Sequence, residues 1–113
     1  MVAKPTIPAA EALEVTALIT YTEGGIASRV IARSKGGSVT LFAFDEGQEL
    51  SEHASPYEAL VVVLDGELEI TVGGTRTRGT PGTVVRIPST VPHALESPNR
   101  AKMMLIMLGG RDA

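Results

Sequence analysis

The chain has 113 residues, a formal net charge of −3 and a hydrophobic fraction of 43%, which suits one domain with its own core and excludes a disordered composition. It contains no Cys, so disulfides and thiolate metal sites are excluded. Mild acidity and scattered basic residues, with only Arg76 and Arg78 close together, give no footing for nucleic acid or an anionic membrane surface.

The opening MVAKPTIPAA lacks the apolar core of a secretory signal. The longest apolar runs, residues 60–64 and 103–108, are too short to span a bilayer. The expectation is therefore a soluble cytoplasmic protein. Residues 8–15 (PAAEALEV) predict a short helical turn, laid over an open end of the domain. Strands are predicted at residues 17–20, 26–34, 39–44, 58–64, 67–72, 75–78, 83–87, 93–96 and 101–108. The pairs Gly36-Gly37, Asp65-Gly66 and Gly73-Gly74 supply the turn chemistry between them. Short strands without helical crossovers favour an all-β sandwich or barrel over any α/β arrangement.

Alternation along three strands is apolar on both faces. In residues 38–44, Val39, Leu41 and Ala43 oppose Thr40, Phe42 and Phe44, which predicts a strand lying between two layers. Residues 60–64 and 103–108 read the same way, so self-association through one sheet face, as a homodimer, is expected.

Two spaced patterns carry chemistry. From Gly47 the chain reads G-x5-His53-x-Ser55-x3-Ala59-x6-Gly66, and from Gly82 it reads G-x5-Pro88-x-Thr90-x2-His93-x3-Ser97. This resembles the two motifs of the cupin superfamily, small RmlC-like jelly-roll β-barrels, over residues 36–108. The resemblance implies a single cupin-like β-barrel across residues 1–113. It also implies a site at the four positions where metal-dependent cupins place three histidines or their equivalents and a glutamate.

Those positions here hold His53, Ser55, Ala59 and His93. Ala59 cannot ligate, and Ser55 is a weak neutral donor, whereas imidazole and carboxylate sites normally use three protein ligands. Parity along a strand sets Glu58 on the opposite face from residues 53, 55, 57 and 59, unless a bulge near Ser55-Pro56 turns it inward. With that bulge, His53, His93 and Glu58 would hold Zn, Ni, Fe or Mn weakly. The expected ligand pocket comprises His53, Ser55, Tyr57, Ala59 and His93, against an apolar wall of Val61, Val63, Phe42, Phe44, Leu105 and methionines.

Two functions follow from the resemblance. One is binding of a small organic molecule. The other is a cupin enzyme: a metal-dependent dioxygenase or isomerase using His53 and His93, or metal-free chemistry pairing a histidine base with Tyr57. No cluster of Arg or Lys is expected at the pocket mouth. The acidic stretch of Asp45, Glu46, Glu49 and Glu52 reads as a solvated loop.

Overall fold

The computed structural model describes residues 6–109. Nine strands form two antiparallel sheets: β1 (Ile26–Ser34), β2 (Gly37–Phe44), β3 (Glu49–His53), β4 (Glu58–Gly66), β5 (Leu68–Val72), β6 (Thr75–Gly79), β7 (Val84–Ile87), β8 (His93–Glu96) and β9 (Ala101–Leu108). The larger sheet has the order β1-β2-β9-β4-β7 and the smaller β3-β8-β5-β6. From β2 onward the chain crosses repeatedly between sheets, the winding of a jelly roll, with β1 added as an edge hairpin partner.

Three expectations fail near the N-terminus and in the acidic stretch. The short helical turn is present but lies at Val15–Leu18 rather than over residues 8–15: Ala10 takes a left-handed backbone with φ 63°, which an α-helix cannot contain. Residues 17–20 are not a strand, because Val15–Leu18 make a single 3-10 turn. Val15, Leu18 and Ile19 instead pack against the outer face of β2 at Leu41 and Ala43, a spacing of three and four rather than two. In the acidic stretch, Glu49–His53 is a strand rather than a loop. It lies at the edge of the smaller sheet with only Leu50 half-buried, so it carries almost no apolar alternation.

The expectation that β2 lies between two layers holds. Its inner face gives Phe44 to the main core with Val61, Val63, Leu68, Ile70, Ile87, Leu95 and Met103, all at most 3% exposed. Burial of such side chains contributes about 1.5–3 kcal/mol each. On the outer face, Arg29 Nη1 donates to Leu18 O (2.9 Å) and Lys102 Nζ to Thr16 O (2.6 Å). Both cations thereby satisfy carbonyls of the 3-10 turn. Tyr21 Oη donates to Asp65 (2.8 Å), and its ring lies 5.0 Å below both Arg100 and Lys102. Burial, then the Asp65 carboxylate, pushes the Tyr21 phenol well up.

One end of the barrel is tied shut. Fully buried Ser97 donates from Oγ to Asp45 O (2.7 Å), and its backbone exchanges bonds with Gly47 and Gln48. The Asp45 carboxylate accepts from Gly24 N (2.6 Å) and Arg100 Nε (2.9 Å). The Gly24 amide first, then the Arg100 guanidinium, hold its pKa down at about 2. At the same end Gly66 has φ 68°, and a Cβ there would lie 1.9 Å from Arg100 O. Only glycine permits both the left-handed backbone and that approach.

Candidate functional site

The opposite end is built differently. Strand β3 runs from Glu49, paired with Glu96 beside Ser97, to His53, paired with His93. Two histidines forty residues apart in sequence are thus direct cross-strand neighbours. A register shift between Leu50 and His53 is part of that pairing, and such irregularities re-aim side chains at a barrel rim. The ring centroids are 4.3 Å apart with an interplanar angle of 61°. His53 is exposed, whereas His93 is only 7% exposed.

Each imidazole is oriented in the same way. His53 Nδ1 lies 2.8 Å from Ser51 O, and His93 Nδ1 lies 2.9 Å from Val91 O. A carbonyl can only accept, so each Nδ1 carries the proton and donates it. In the neutral ring this leaves the lone pair on Nε2, and no described residue hydrogen-bonds to either Nε2. Two Nε2 acceptors therefore stand together at the rim of the barrel. They can accept a hydrogen bond or, with enough further donors, ligate a cation.

The remaining expected site residues are dispersed. Ala59 is buried at 4% and belongs to the main core, between Ile87 on β7 and Met107 on β9. Ser55 Oγ accepts from Tyr57 N (3.1 Å), and Ser55 O accepts from Thr90 N (2.7 Å). Ser55 thus joins the two motif loops through its backbone and spends its hydroxyl on a local turn. Tyr57 is 47% exposed and stands over Gly109.

Glu58 is a correction. No bulge turns it inward: β3 ends at His53, β4 starts at Glu58, and the pairing from Glu58 to Val63 is regular. Glu58 lies on the outer face and forms an ion pair with Arg86, as strand parity requires. Among the described residues no three His, Asp or Glu side chains gather in a group able to hold a metal. Two imidazoles without a carboxylate do not fit a resident divalent ion.

The apolar wall is also reassigned. Val61, Val63, Phe44 and Met103 are at most 1% exposed and pack together as core. Met104 supports the outer 3-10 turn. The largest part of the interior is filled, as in other small barrels.

Space opens instead around the β1–β2 hairpin at the histidine end. A cavity of about 300 Å³ is lined by Arg33, Ser34, Lys35, Ser38, Tyr57 and Met107, together with Gly37 and Gly109. The histidines do not line it. Arg33, Ser38, Met107 and Ala59 are successive cross-strand partners, forming one row on the inner face of the larger sheet. Composition hid this pair of cations, because Arg33 and Lys35 look scattered until the hairpin and Tyr57 are placed around them. The local signal is RSKGGS, two cations that lead into a tight turn.

Thr90 occupies the place of the motif's central glycine and keeps a left-handed backbone, φ 65°. For a β-branched residue this is a strained conformation.

Known proteins share this architecture. The family model of the cupin domain matches residues 40–109. The chain belongs to the cupin family. A conserved protein of unknown function from Streptococcus pyogenes is similar over 98% of this chain and 97% of its own, with 29% identity and a TM-score of 0.88. A cupin superfamily protein from Desulfitobacterium hafniense is 28% identical over 96% of this chain and all of its own length, TM-score 0.87. A cupin 2 conserved barrel domain protein from Leptotrichia buccalis is 33% identical over 83% of this chain and 46% of its own, TM-score 0.79. No curated protein matches this sequence. None of these three neighbours is named for a ligand, so the function of this cupin is read from its own residues. No helix among the described residues is long and apolar enough to cross a membrane.

Proposed function

We propose that this cupin binds a small organic molecule at the open end of its barrel, oriented by His53 and His93. The observation that carries the reading is the imidazole pair 4.3 Å apart, each ring fixed through Nδ1 to a backbone carbonyl. Fixing a ring before the ligand arrives removes an ordering cost from binding. A ligand hydroxyl, amide or acid proton directed at the two Nε2 atoms would be held without protein rearrangement. Catalysis needs a further partner, and Tyr57 sits over Gly109 rather than bonded to either imidazole. Binding is therefore the better-supported reading.

The test is a fragment screen read on the ring resonances of both histidines, with His53→Ala and His93→Ala in parallel. Binders should shift both rings and lose affinity about tenfold or more in each variant. If compounds that bind the protein leave both rings and both variants unaffected, the reading fails. Dialysis of untagged protein against Zn²⁺ addresses the metal-dependent alternative. Occupancy well below one ion per chain is expected, and one tightly held ion per chain, lost in His53→Ala, would reverse the preference.

The same proposal includes a homodimer through the larger sheet. Beyond the part covered by the 3-10 turn, its outer face carries half-buried Val39, Leu60, Val62 and Ile106 next to Val84 and Leu108, which are 58% and 41% exposed. A second copy laying the same patch against it would bury a continuous apolar surface. Val62→Glu should halve the mass seen by sedimentation equilibrium; an unchanged mass rejects this face.

A further inference from the structure

We infer that the ligand is an anion, a small carboxylate or phosphate with an apolar body, and that its charge sits in the cavity between Arg33 and Lys35. The inference rests on the reading above, because it takes the histidine end as the place of entry.

The reason is a mismatch between these two cations and every other basic side chain described. Arg76 and Arg78 bind Glu69, Arg86 binds Glu58, and Arg100 binds Asp45. Arg29 and Lys102 donate to the carbonyls of Leu18 and Thr16. Among the described residues, Arg33 and Lys35 alone have neither an ion pair nor a side-chain hydrogen bond. In a chain with net charge −3, two cations without an acceptor among the described residues offer a place for an acceptor from outside.

The surroundings set the ligand's chemistry. No Asp or Glu lines the cavity, so nothing there competes for the cations. Along the inner-face row that begins at Arg33, the position three strands away holds Ala59, where the family motif has its glutamate. That position consequently offers a methyl group rather than a carboxylate. The hydroxyls of Ser34 and Ser38 can add hydrogen bonds to an oxyanion, and Met107 and the exposed Tyr57 ring supply apolar walls. The backbone holds the shape: Gly109 N donates to Gly36 O (2.6 Å), and a Cβ on Gly37 would lie 2.0 Å from Met107 O. An amphiphilic anion therefore finds charge, hydroxyls and apolar surface within about 300 Å³.

The experiment titrates phenylacetate, phenyl phosphate and neutral phenylacetamide into the full chain, reading the amide signals of Gly36, Gly37 and Gly109 and the histidine rings. The anions should bind at least tenfold more tightly than phenylacetamide, and added salt should narrow that gap. Arg33 and Lys35 are exposed, so Arg33→Gln and Lys35→Gln should fold normally and each lose about fivefold in anion affinity. Equal binding of phenylacetamide, or anion affinity untouched in both variants, overturns the inference while leaving ligand binding at the histidines in place. Anion binding seen at Gly36 and Gly109 with both imidazoles silent sustains the charged cavity and removes the histidines' role. Absence of any shift with either anion at concentrations on the order of 10 mM overturns it outright.

Discussion

The two ends of this barrel contain the same kinds of motif position put to opposite uses. At the closed end, Gly47 and Ser97 tie loops to one another beside Asp45 and Arg100, and the polar groups of Ser97, Asp45 and Arg100 are partnered. At the open end, His53 and His93 present Nε2 atoms and Arg33 and Lys35 present cations that no described residue engages, and Thr90 holds a strained backbone. One end spends its polar groups on the fold and the other keeps them for something that arrives. Stability should therefore respond to changes at the closed end, and binding to changes at the open end.

The largest effect expected is at Gly66. An added methyl meets Arg100 O at 1.9 Å and Ala101 Cα at 2.9 Å, both backbone, in a left-handed conformation. Gly66→Ala should cost about 3 kcal/mol or more, combining strain with a displaced strand end. For a domain of this size that lowers Tm by at least about 12 °C. Gly47, also left-handed but with nothing near its Cβ direction, should lose only about 1 kcal/mol as Ala. Equal losses at the two glycines would show that steric closure at Gly66 is not what seals this end.

The two motif serines give a sharper contrast. Ser97 is fully buried, and its hydroxyl serves Asp45 O and Gln48 O. Ser97→Ala should cost about 1–2 kcal/mol. Ser55, at the mouth, accepts one exposed amide bond that water can replace, so Ser55→Ala should stay within about 0.5 kcal/mol. Chemical denaturation of both variants measures the difference. Similar values for both would erase the division between the ends.

How far the sequence foretold this division depends on how far each element's signal was local. Strands from Ile26 onward were legible because apolar alternation and turn glycines lie within a few residues of each other. Strand β3 was not, since an edge strand with solvent on most sides needs no apolar alternation. The segment around Val15–Leu18 misled, because its apolar residues answer to the outer face of β2, which lies far away in sequence. The meeting of His53 and His93 was legible only through the family motif. The cavity cations were legible only as a pair leading into a turn, because Arg33 and Lys35 acquire meaning beside Tyr57 and Met107. Glu58 followed strand parity, and the bulge required to rescue it did not form.

Acid should loosen the closed end first. Asp45 is held at about 2 in the folded chain by Gly24 N–H and Arg100, below the usual carboxylate range near 4. A depressed folded-state pKa means stability that is fully present above about pH 4 and is lost as the pH falls toward 2. Thermal melts of the wild type and Asp45→Asn should therefore differ at pH 7 and converge near pH 2. A gap that persists unchanged at pH 2 would show that the carboxylate's charge is not what matters there.

The one effect of opposite sign belongs to the mouth. Thr90 sits at φ 65°, where a β-branched side chain costs about 1–2 kcal/mol. Glycine would remove that strain and give back about 0.5–1 kcal/mol through the greater freedom of the unfolded chain. Thr90→Gly should thus stabilise by about 0.5–1 kcal/mol, while the Thr90 N–H bond to Ser55 O, a backbone contact, survives. The offsetting contact is Thr90 Oγ1 donating to Ser89 O at 2.5 Å. If Thr90→Gly melts at the same temperature or below, that hydroxyl balances the strain and the loop is at rest. If it melts higher, the loop between Ser89 and His93 holds stored strain at the open end, as expected of a segment shaped for contact rather than for stability.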